Sequence, residues 1–579
     1  MVHVRPDGRG FRWQLAVVAV GPGSVTMTPT YLIVGGVAAG MSAATRLRRN
    51  DESARIVVVE RGGYVSFANC GLPYHLSGVI ADREQLVLQT PESLGHRFGI
   101  EVLVRHEVTA IDRSARIATV HDLITGSTTT IAYDAAVLAT GAAPIRLQAP
   151  GSERARSLRD LDDLDQLMAD LQSEPTSAVV IGAGFVGLEV AENLARRGLS
   201  ATVVELAEQV LTPLDPELAA LVQTQLERHG VTARTGVCVT EIGGNDVLLS
   251  DGTRVPGDLV VAALGVRPES ALARAAGLRV GERGGIVVDA QQRTSDPVIF
   301  AVGDVAEKVC AVSGETTLVP LAGPANREGR LVADVITGRA VSAAPVWGTA
   351  VVGVFGLTAA VTGWSEKRLR ASGRDVRIIH THPMSHAGYY PGADQLSLKL
   401  LVDPESDAIL GAQGVGGEEV ARRIDVIATA ARGQLRASEL ADLDLAYAPQ
   451  YGSAKDPVTM LGFIADNLRS GVIKTRQWHE VEAEVAAGAA LIDVRSAAEY
   501  AAGHLPGALH VPVDDLRSRL AELPDRALLV YCGVGQRGNV AVRMLTQLGF
   551  EAVNLDGGYS TWCAGTGRCV RERELVAVR

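Results

Sequence analysis

The sequence of 579 residues is short of thiols, of long apolar runs and of positive charge. Its six cysteines, at positions 70, 238, 310, 532, 563 and 569, are too few and too scattered for a secreted disulfide framework. A cytoplasmic chain with reactive thiols fits them better, and Cys238 and Cys310 read as packing residues. Lys and Arg number 55 against 66 Asp and Glu, a net charge of −11 that disfavours nonspecific nucleic-acid binding but leaves room for local basic pockets. The apolar run Leu15-Ala16-Val17-Val18-Ala19-Val20, preceded by Arg5, Arg9 and Arg12, is too short to span a bilayer, and no A-x-A cleavage site follows it. Residues 1–27 are expected to be a disordered extension, with Met27 as a second start position and a weak signal peptide as the alternative. The absence with most consequence is local. In Ser66-Phe67-Ala68-Asn69-Cys70-Gly71-Leu72-Pro73-Tyr74 the cysteine has no thiol neighbour, and the position five further on is His75. Cys70 is thereby denied a local intrachain disulfide, so its oxidised form has to be a mixed disulfide with a small thiol, a persulfide or a sulfenic acid.

What the chain does contain is ordinary globular material, 47% hydrophobic and 21% charged, in a length that suggests about four domains. The 62 glycines suit close approach of backbone to nucleotides. Tyr31-Leu32-Ile33-Val34 reads as a strand, Gly35-Gly36-Val37-Ala38-Ala39-Gly40 as a turn and residues 41–49 as a helix. A second strand, Ile56-Val57-Val58-Val59, ends in Glu60 with Arg61 beside it. The turn seats a pyrophosphate on the helix N-terminus, and Glu60 accepts from a ribose hydroxyl. Val37 stands at the middle glycine of G-x-G-x-x-G, so the loop alone is a weak match; the strand before it and the acid 20 residues after Gly40 supply the context.

The pattern recurs at Ala178-Val179-Val180-Ile181 and Gly182-Ala183-Gly184-Phe185-Val186-Gly187, with Glu205 placed 18 residues after Gly187. Two such units suggest two dinucleotides face to face, a flavin between a nicotinamide and Cys70. Glu205 repels a 2′-phosphate and favours NADH over NADPH, with Arg196 or Arg197 as the residues that would compensate. Two shorter signals fit a flavin fold. Val137-Leu138-Ala139 is a strand ending in Thr140-Gly141, and residues 298–302 are a strand ending in Gly303-Asp304, whose carboxylate can accept from a ribityl chain. Residues 347–465 lack a nucleotide loop and alternate as an antiparallel sheet with helices.

Residues 31 to about 465 resemble the coenzyme A-disulfide reductases, flavoproteins of the pyridine nucleotide-disulfide oxidoreductase superfamily. The likeness rests on the Cys70 segment, both glycine loops, Leu321-Ala322-Gly323-Pro324-Ala325-Asn326-Arg327, His386-Ala387-Gly388-Tyr389-Tyr390-Pro391-Gly392 and Tyr447-Ala448-Pro449. It implies FAD, a homodimer built through the third domain, and partner-subunit tyrosines, here Tyr389 and Tyr447, beside the catalytic cysteine. Those phenols would hydrogen-bond and protonate a departing thiolate. It also implies a coenzyme A site at Ser42, Arg46, Arg49, Ser66, Asn69 and Lys455. Arg46 and Arg49, spaced i, i+3, would share a face and grip a phosphate. A lysine that some relatives set against the nucleotide falls at Phe98 here, next to Arg97, which alters that grip.

The last hundred residues form a separate module. Leu528-Leu529-Val530-Tyr531 is a strand ending in Cys532-Gly533-Val534-Gly535-Gln536-Arg537-Gly538, before a helix. A cysteine opening such a loop sits among convergent backbone N–H groups, which suit an anionic persulfide. The module, including Asp556-Gly557-Gly558-Tyr559, resembles the rhodanese sulfurtransferases. A phosphatase loop would place arginine at 538; the arginine is Arg537, which favours sulfur over phosphate chemistry. Cys563 and Cys569 read as tail cysteines, with a secondary thiol pair as the alternative.

The expected fold is α/β throughout. A flavin domain at 28–150 and 271–346 encloses a nicotinamide domain at 151–270; an α+β dimerisation domain at 347–468 and an α/β rhodanese domain at 474–579 follow. No metal, nucleic acid or membrane partner is expected. The expected activity is NAD(P)H-dependent reduction of coenzyme A disulfide, coenzyme A persulfide or polysulfide at Cys70, with sulfane sulfur delivered by Cys532. A single-cysteine NADH oxidase or peroxidase cycling through a Cys70 sulfenic acid is the alternative, weakened by the lack of histidine between Tyr31 and Glu60. An adaptor module without turnover is a third reading.

Overall fold

Strand formation near the N-terminus follows from a run of β-branched residues that only a doubly covered sheet can bury. The computed structural model describes residues 28–568; the expected extension at 1–27 and Cys569 lie outside the described residues. In it Thr30–Val34 pairs in parallel with Arg55–Glu60 and with Ala135–Leu138, and the sheet is completed by Ile100–Val104 and Ile299–Ala301. Ile56, Val57, Val58 and Val59 are no more than 2% exposed. Each such side chain contributes about 1.5–3 kcal/mol of burial, an upper bound. One face carries helices Ala38–Asn50 and Ala322–Ile336. The other is covered by an antiparallel sheet of His106–Asp112, Ile117–Asp122 and Thr128–Ala132.

The second glycine-loop unit is a parallel sheet in the order Thr232–Arg234, Ser200–Val204, Ser177–Ile181, Leu259–Ala262. Helices Phe185–Arg196 and Pro216–Arg228 pack on it. Next comes an antiparallel sheet ordered Ala350–Val354, Leu357–Gly363, Ile409–Gly416, Ser397–Val402, Arg377–Thr381, backed by helices Val420–Arg432 and Pro457–Arg469. The C-terminal module is a parallel sheet with Leu528–Tyr531 at its centre, between Ala490–Asp493 and Ala552–Leu555. This is the mixed α/β architecture expected, with Rossmann-like parallel sheets. No helix among the described residues is long and apolar enough to cross a membrane.

Three of these units meet over a buried ionic cluster. Lys399 Nζ lies 2.6 Å from Glu217, 2.7 Å from Glu366 and 3.0 Å from Asp215. Three carboxylates so close are the geometry of a metal site, but the ammonium stands among them. His380 continues the chain: its Nε2 meets Glu217 Oε1 at 3.0 Å and its Nδ1 meets Asp556 Oδ2 of the C-terminal module at 2.7 Å. His382, beside it, bonds Ser397 Oγ at 3.0 Å and Thr561 Oγ1 at 2.7 Å.

The two histidines are held in opposite states. Burial alone would lower both; for His380 the bonds to Asp556 and Glu217 outweigh it and raise the value from 6.5 to about 9. His382 has only hydroxyl partners and the His380 charge beside it, and burial lowers it to about 3. Folding therefore takes up a proton at His380 between pH 6.5 and 9 and releases one at His382 between 3 and 6.5. The stability from His380 is complete below 6.5 and lost as pH rises through 9, and that from His382 is complete above 6.5 and lost as pH falls. Thermal denaturation of the full chain against pH is expected to peak near 6.5 and to fall on both sides. A melting temperature that climbs steadily from 6.5 to 9 would contradict this.

Candidate active site

Both glycine loops open onto one cavity of about 2450 Å³. Gly35 has φ +103°, and a Cβ there would lie 2.2 Å from Ala139 O; one at Gly40 would lie 1.9 Å from Gly35 O. The loop thus turns tightly between strand and helix, and Val37, at the middle glycine position, has room for its side chain on the cavity wall. Gly182 and Gly187 repeat the arrangement, with contacts of 2.4 Å to Ala263 O and 1.9 Å to Gly182 O. Gly184 is different: no protein atom lies within 4 Å of a Cβ built on it, so the space beside it is open to the cavity. Glu60 accepts from Gly36 N and Gly62 N, each at 2.7 Å. Glu205 accepts from Ala183 N at 2.7 Å and Ala207 N at 2.9 Å. The acids read as ribose acceptors therefore also anchor their own loops, and both line the cavity.

Ala38, Thr140, Gly141, Gly303 and Asp304 line the same space, as does Arg61, which pairs with Glu269 at 2.9 Å. Gly303 N donates to Glu328 and its carbonyl accepts from Lys308 Nζ, a buried pair that fixes the Asp304 turn. Burial raises the Asp304 carboxyl, with Lys308 opposing. Two helix N-termini on the cavity, an open space at Gly184 and an acid beyond each loop fit two dinucleotides.

Cys70 begins no regular helix of its own; Asn69–Gly71 is one short turn before the helix Leu72–Leu76. The residue is exposed on the cavity wall, its N–H held by Asn69 Oδ1 at 3.0 Å and its Sγ 3.7 Å from the same oxygen. Partial burial, then the carboxylates of Glu189 and Asp304, push the thiol up. Glu189 escaped the sequence analysis. It follows Gly187 by two residues, is itself raised by burial, and accepts from Tyr74 OH at 3.0 Å. An acid just past an apolar first helical turn, in Phe185-Val186-Gly187-Leu188-Glu189, was the available signal. Ser66 lies beside the flavin loop at φ +48°, its N–H bonded to Gly36 O at 2.8 Å. Cys238, read as packing, also lines the cavity, at the nicotinamide-domain end.

The structure separates Arg46 from Arg49. Arg46 turns into the seam between helices Ala38–Asn50 and Ala322–Ile336, where its Nε lies 2.7 Å from Asp334. Arg49 is exposed and has no ion pair among the described residues. The i, i+3 positions stand only about 60° apart on the helix, yet Arg46 is spent on Asp334 while Arg49 faces solvent, and a shared phosphate grip stays a proposal. Ser42 Oγ donates to Asn326 Oδ1 across the same seam at 2.5 Å. Phe98 packs against the flavin-domain core. Lys455 is exposed. Tyr389 and Tyr447, 58 positions apart, bring their hydroxyls within 3.1 Å of each other, and Ala387 N binds Gly452 O at 2.9 Å beneath them. Both rings are exposed, and neither lines the cavity that holds Cys70 of the same chain. The bond to Tyr389 raises the Tyr447 phenol.

In the C-terminal module Cys532 is fully buried at the end of its strand. Gly535 N donates to its Sγ at 3.2 Å, as the loop reading requires. Arg537 opens the following helix Gln536–Gln547 and is clamped to Glu499 at 2.5 Å, which holds that carboxyl at about 2.

Comparison with known proteins agrees with this geometry. The family of pyridine nucleotide-disulphide oxidoreductases matches residues 29–329, its dimerisation domain matches 349–457, and the rhodanese-like domain matches 477–565. The coenzyme A disulfide reductase of Staphylococcus aureus strain JH9 is 32% identical over 440 residues, 76% of this chain and all of that protein. The reduced Bacillus anthracis CoADR-RHD is 42% identical, covers 93% of this chain and 99% of its own, and superposes with a TM-score of 0.92. An NAD-dependent persulfide reductase from A. fulgidus is 36% identical over 92% of this chain and all of its own, with a TM-score of 0.87. With two dinucleotide cradles, a cysteine beside one of them and a second cysteine in its own loop, the chain belongs to the pyridine nucleotide-disulphide oxidoreductases, enzymes using FAD and NAD(P)H, and carries a rhodanese-like domain at its C-terminal end.

Proposed function

We propose that this enzyme uses NADH to reduce coenzyme A disulfide and coenzyme A persulfide at Cys70, and that Cys532 supplies sulfane sulfur. The observation that carries the reading is Cys70 itself, an exposed thiol with no thiol beside it among the described residues, on the wall of the cavity shared by both glycine loops. FAD, when bound, relays an electron pair from the nicotinamide to that sulfur. Cys70 thiolate attacks one sulfur of the substrate, forming a Cys70–coenzyme A mixed disulfide and expelling a thiolate, or hydrosulfide from a persulfide. Two electrons then cleave the mixed disulfide into Cys70 thiolate and coenzyme A thiolate. At the other end, Cys532 thiolate takes the outer sulfur of a donor such as thiosulfate, expelling sulfite and leaving Cys532–S–S⁻. The bound coenzyme A thiolate would accept that sulfur.

The reading of NADH is supported by Glu205, which lines the cavity, while Arg196 and Arg197, at the far end of helix Phe185–Arg196, do not line it and are otherwise engaged. Arg196 pairs with Glu192 at 2.8 Å, and Arg197 donates to Leu76 O at 2.8 Å. Neither is left for a 2′-phosphate. Arg49, Ser66, Asn69 and Lys455 remain the proposed coenzyme A contacts, with Arg46 as a helix-seam residue that supports them. Tyr389 and Tyr447 are proposed to act on the Cys70 of a partner subunit, as a hydrogen-bonded pair that passes a proton to the leaving thiolate. Tyr447→Phe is expected to slow thiol release by about 10- to 100-fold, read by single-turnover kinetics, with flavin content unchanged; unchanged release removes Tyr447 from the mechanism. The reading as a whole is tested by steady-state rates with coenzyme A disulfide, polysulfide, thiosulfate, O₂ and H₂O₂, each with NADH and NADPH. Turnover confined to O₂ or H₂O₂ would replace it with sulfenic-acid chemistry at Cys70.

A further inference from the structure

We propose that His380, in the dimerisation domain, is a positioning residue for sulfur transfer at Cys532, because it holds Asp556 and with it the turn that seats the Cys532 loop. The inference rests on the sulfur-transfer reading above. Asp556 receives two bonds from His380, one from its backbone N at 2.9 Å and one involving Nδ1 at 2.7 Å. Asp556 begins Asp556-Gly557-Gly558-Tyr559, and that turn packs against the active loop. A Cβ on Gly558 would lie 2.4 Å from Cys532 O. Tyr559 N donates to Cys532 O at 2.8 Å and Ser560 N to Gly533 O at 2.9 Å. Asn554, on the strand leading into the turn, donates to Gly535 O at 3.2 Å, and Gly535 N is the donor that meets Cys532 Sγ. Glycine is required at 557 by the same docking, because a Cβ there would come within 2.9 Å of His380 Cβ and closer still to Thr561 Oγ1.

His380 is not free to move with the module. Its Nε2 is tied to Glu217, which also binds Lys399, and helix Pro216–Arg228, which bears Glu217, packs against helix Gly558–Thr566. Asp556, 4% exposed, has its charge matched from outside its own domain. A module cut away from the reductase leaves that carboxylate without its histidine, and the turn that carries the Cys532 contacts without its anchor. The groups facing the imidazole are Asp556, Glu217, Lys399 and the neutral His382. His380 is thus the side chain that ties the reductase directly to the Asp556 turn of the sulfur-transfer loop.

The test uses the full chain. His380→Ala removes the Nδ1 bond, whereas His380→Asn places an amide N–H near the position of Nδ1 and retains it. With thiosulfate as donor and cyanide as acceptor, His380→Ala is expected to lower kcat for thiocyanate formation about tenfold with KM for thiosulfate within about twofold, and His380→Asn to recover most of the loss. NADH-driven reduction of coenzyme A disulfide stays within about twofold in both. Alkylation of the buried Cys532 by iodoacetamide, followed by mass spectrometry, is expected to quicken about fivefold in His380→Ala as the loop loosens. Asp556→Asn reports the same split from the other side of the bond and replaces His380→Ala where that variant does not accumulate. Unchanged transfer and alkylation in the variants, equal loss of both activities, or no recovery with asparagine would overturn the inference. If the unaltered chain and Cys532→Ser form equally little thiocyanate, the sulfur-transfer reading fails, an outcome separate from a fully active His380→Ala.

Discussion

Cys70→Ser is expected to lower NADH-driven reduction of coenzyme A disulfide at least about a thousandfold while FAD stays bound. The loss is large because the reaction has no alternative sulfur. No thiol stands five residues on, and a hydroxyl neither attacks a disulfide nor holds coenzyme A as a mixed disulfide at neutral pH. Flavin retention follows from the cradle, which is built by Gly35, Gly40, Glu60, Gly303 and Asp304 and does not depend on the thiol. The variant is also expected to lack the long-wavelength absorbance that a thiolate beside an oxidised flavin produces. Because burial, Glu189 and Asp304 push the Cys70 thiol up, that absorbance in the unaltered enzyme should strengthen as pH rises. Rates within tenfold of the unaltered enzyme, or an unchanged spectrum, would remove Cys70 from the reaction.

Cys532→Ser is expected to abolish thiocyanate formation from thiosulfate and cyanide, a fall of about a thousandfold or more, and to leave coenzyme A disulfide reduction within about twofold. The two halves of this prediction separate because the two sulfurs occupy different units. Cys532 lies at the end of strand Leu528–Tyr531, fully buried under the turn at residues 556–559, while Cys70 is exposed in the nucleotide cavity. Gly535 N meets Cys532 Sγ and Arg537 faces it, so both would stabilise the proposed persulfide on Cys532, and a serine in its place cannot carry sulfur. Equal loss of both activities would mean that one cysteine serves both reactions, and retention of transfer would assign it to another thiol.

The sites most legible in the sequence were those built from neighbours along the chain. The strand–glycine–helix units, the isolation of Cys70 and the Cys532 loop each depend on residues within a few positions, so local pattern carries their geometry. The pairing of Tyr389 with Tyr447 came from resemblance to a family and not from any periodicity, and the resemblance did not say that the two hydroxyls meet. The i, i+3 spacing of Arg46 and Arg49 likewise left open where Arg46 finds its partner. Helical spacing places a side chain on a helix, whereas Asp334, 288 positions away, decides which way Arg46 turns.

By itself the sequence determined the α/β class, the two dinucleotide cradles and the chemistry open to a lone thiol, because strand propensity, glycine's backbone freedom and the absence of a neighbouring sulfur are local properties. Only the tertiary structure decided which charges were spent within the protein: Arg46 on Asp334, and His380 between Glu217 and Asp556. A buried charge must find its partner wherever packing brings one, and packing joins residues that sequence order keeps more than a hundred positions apart.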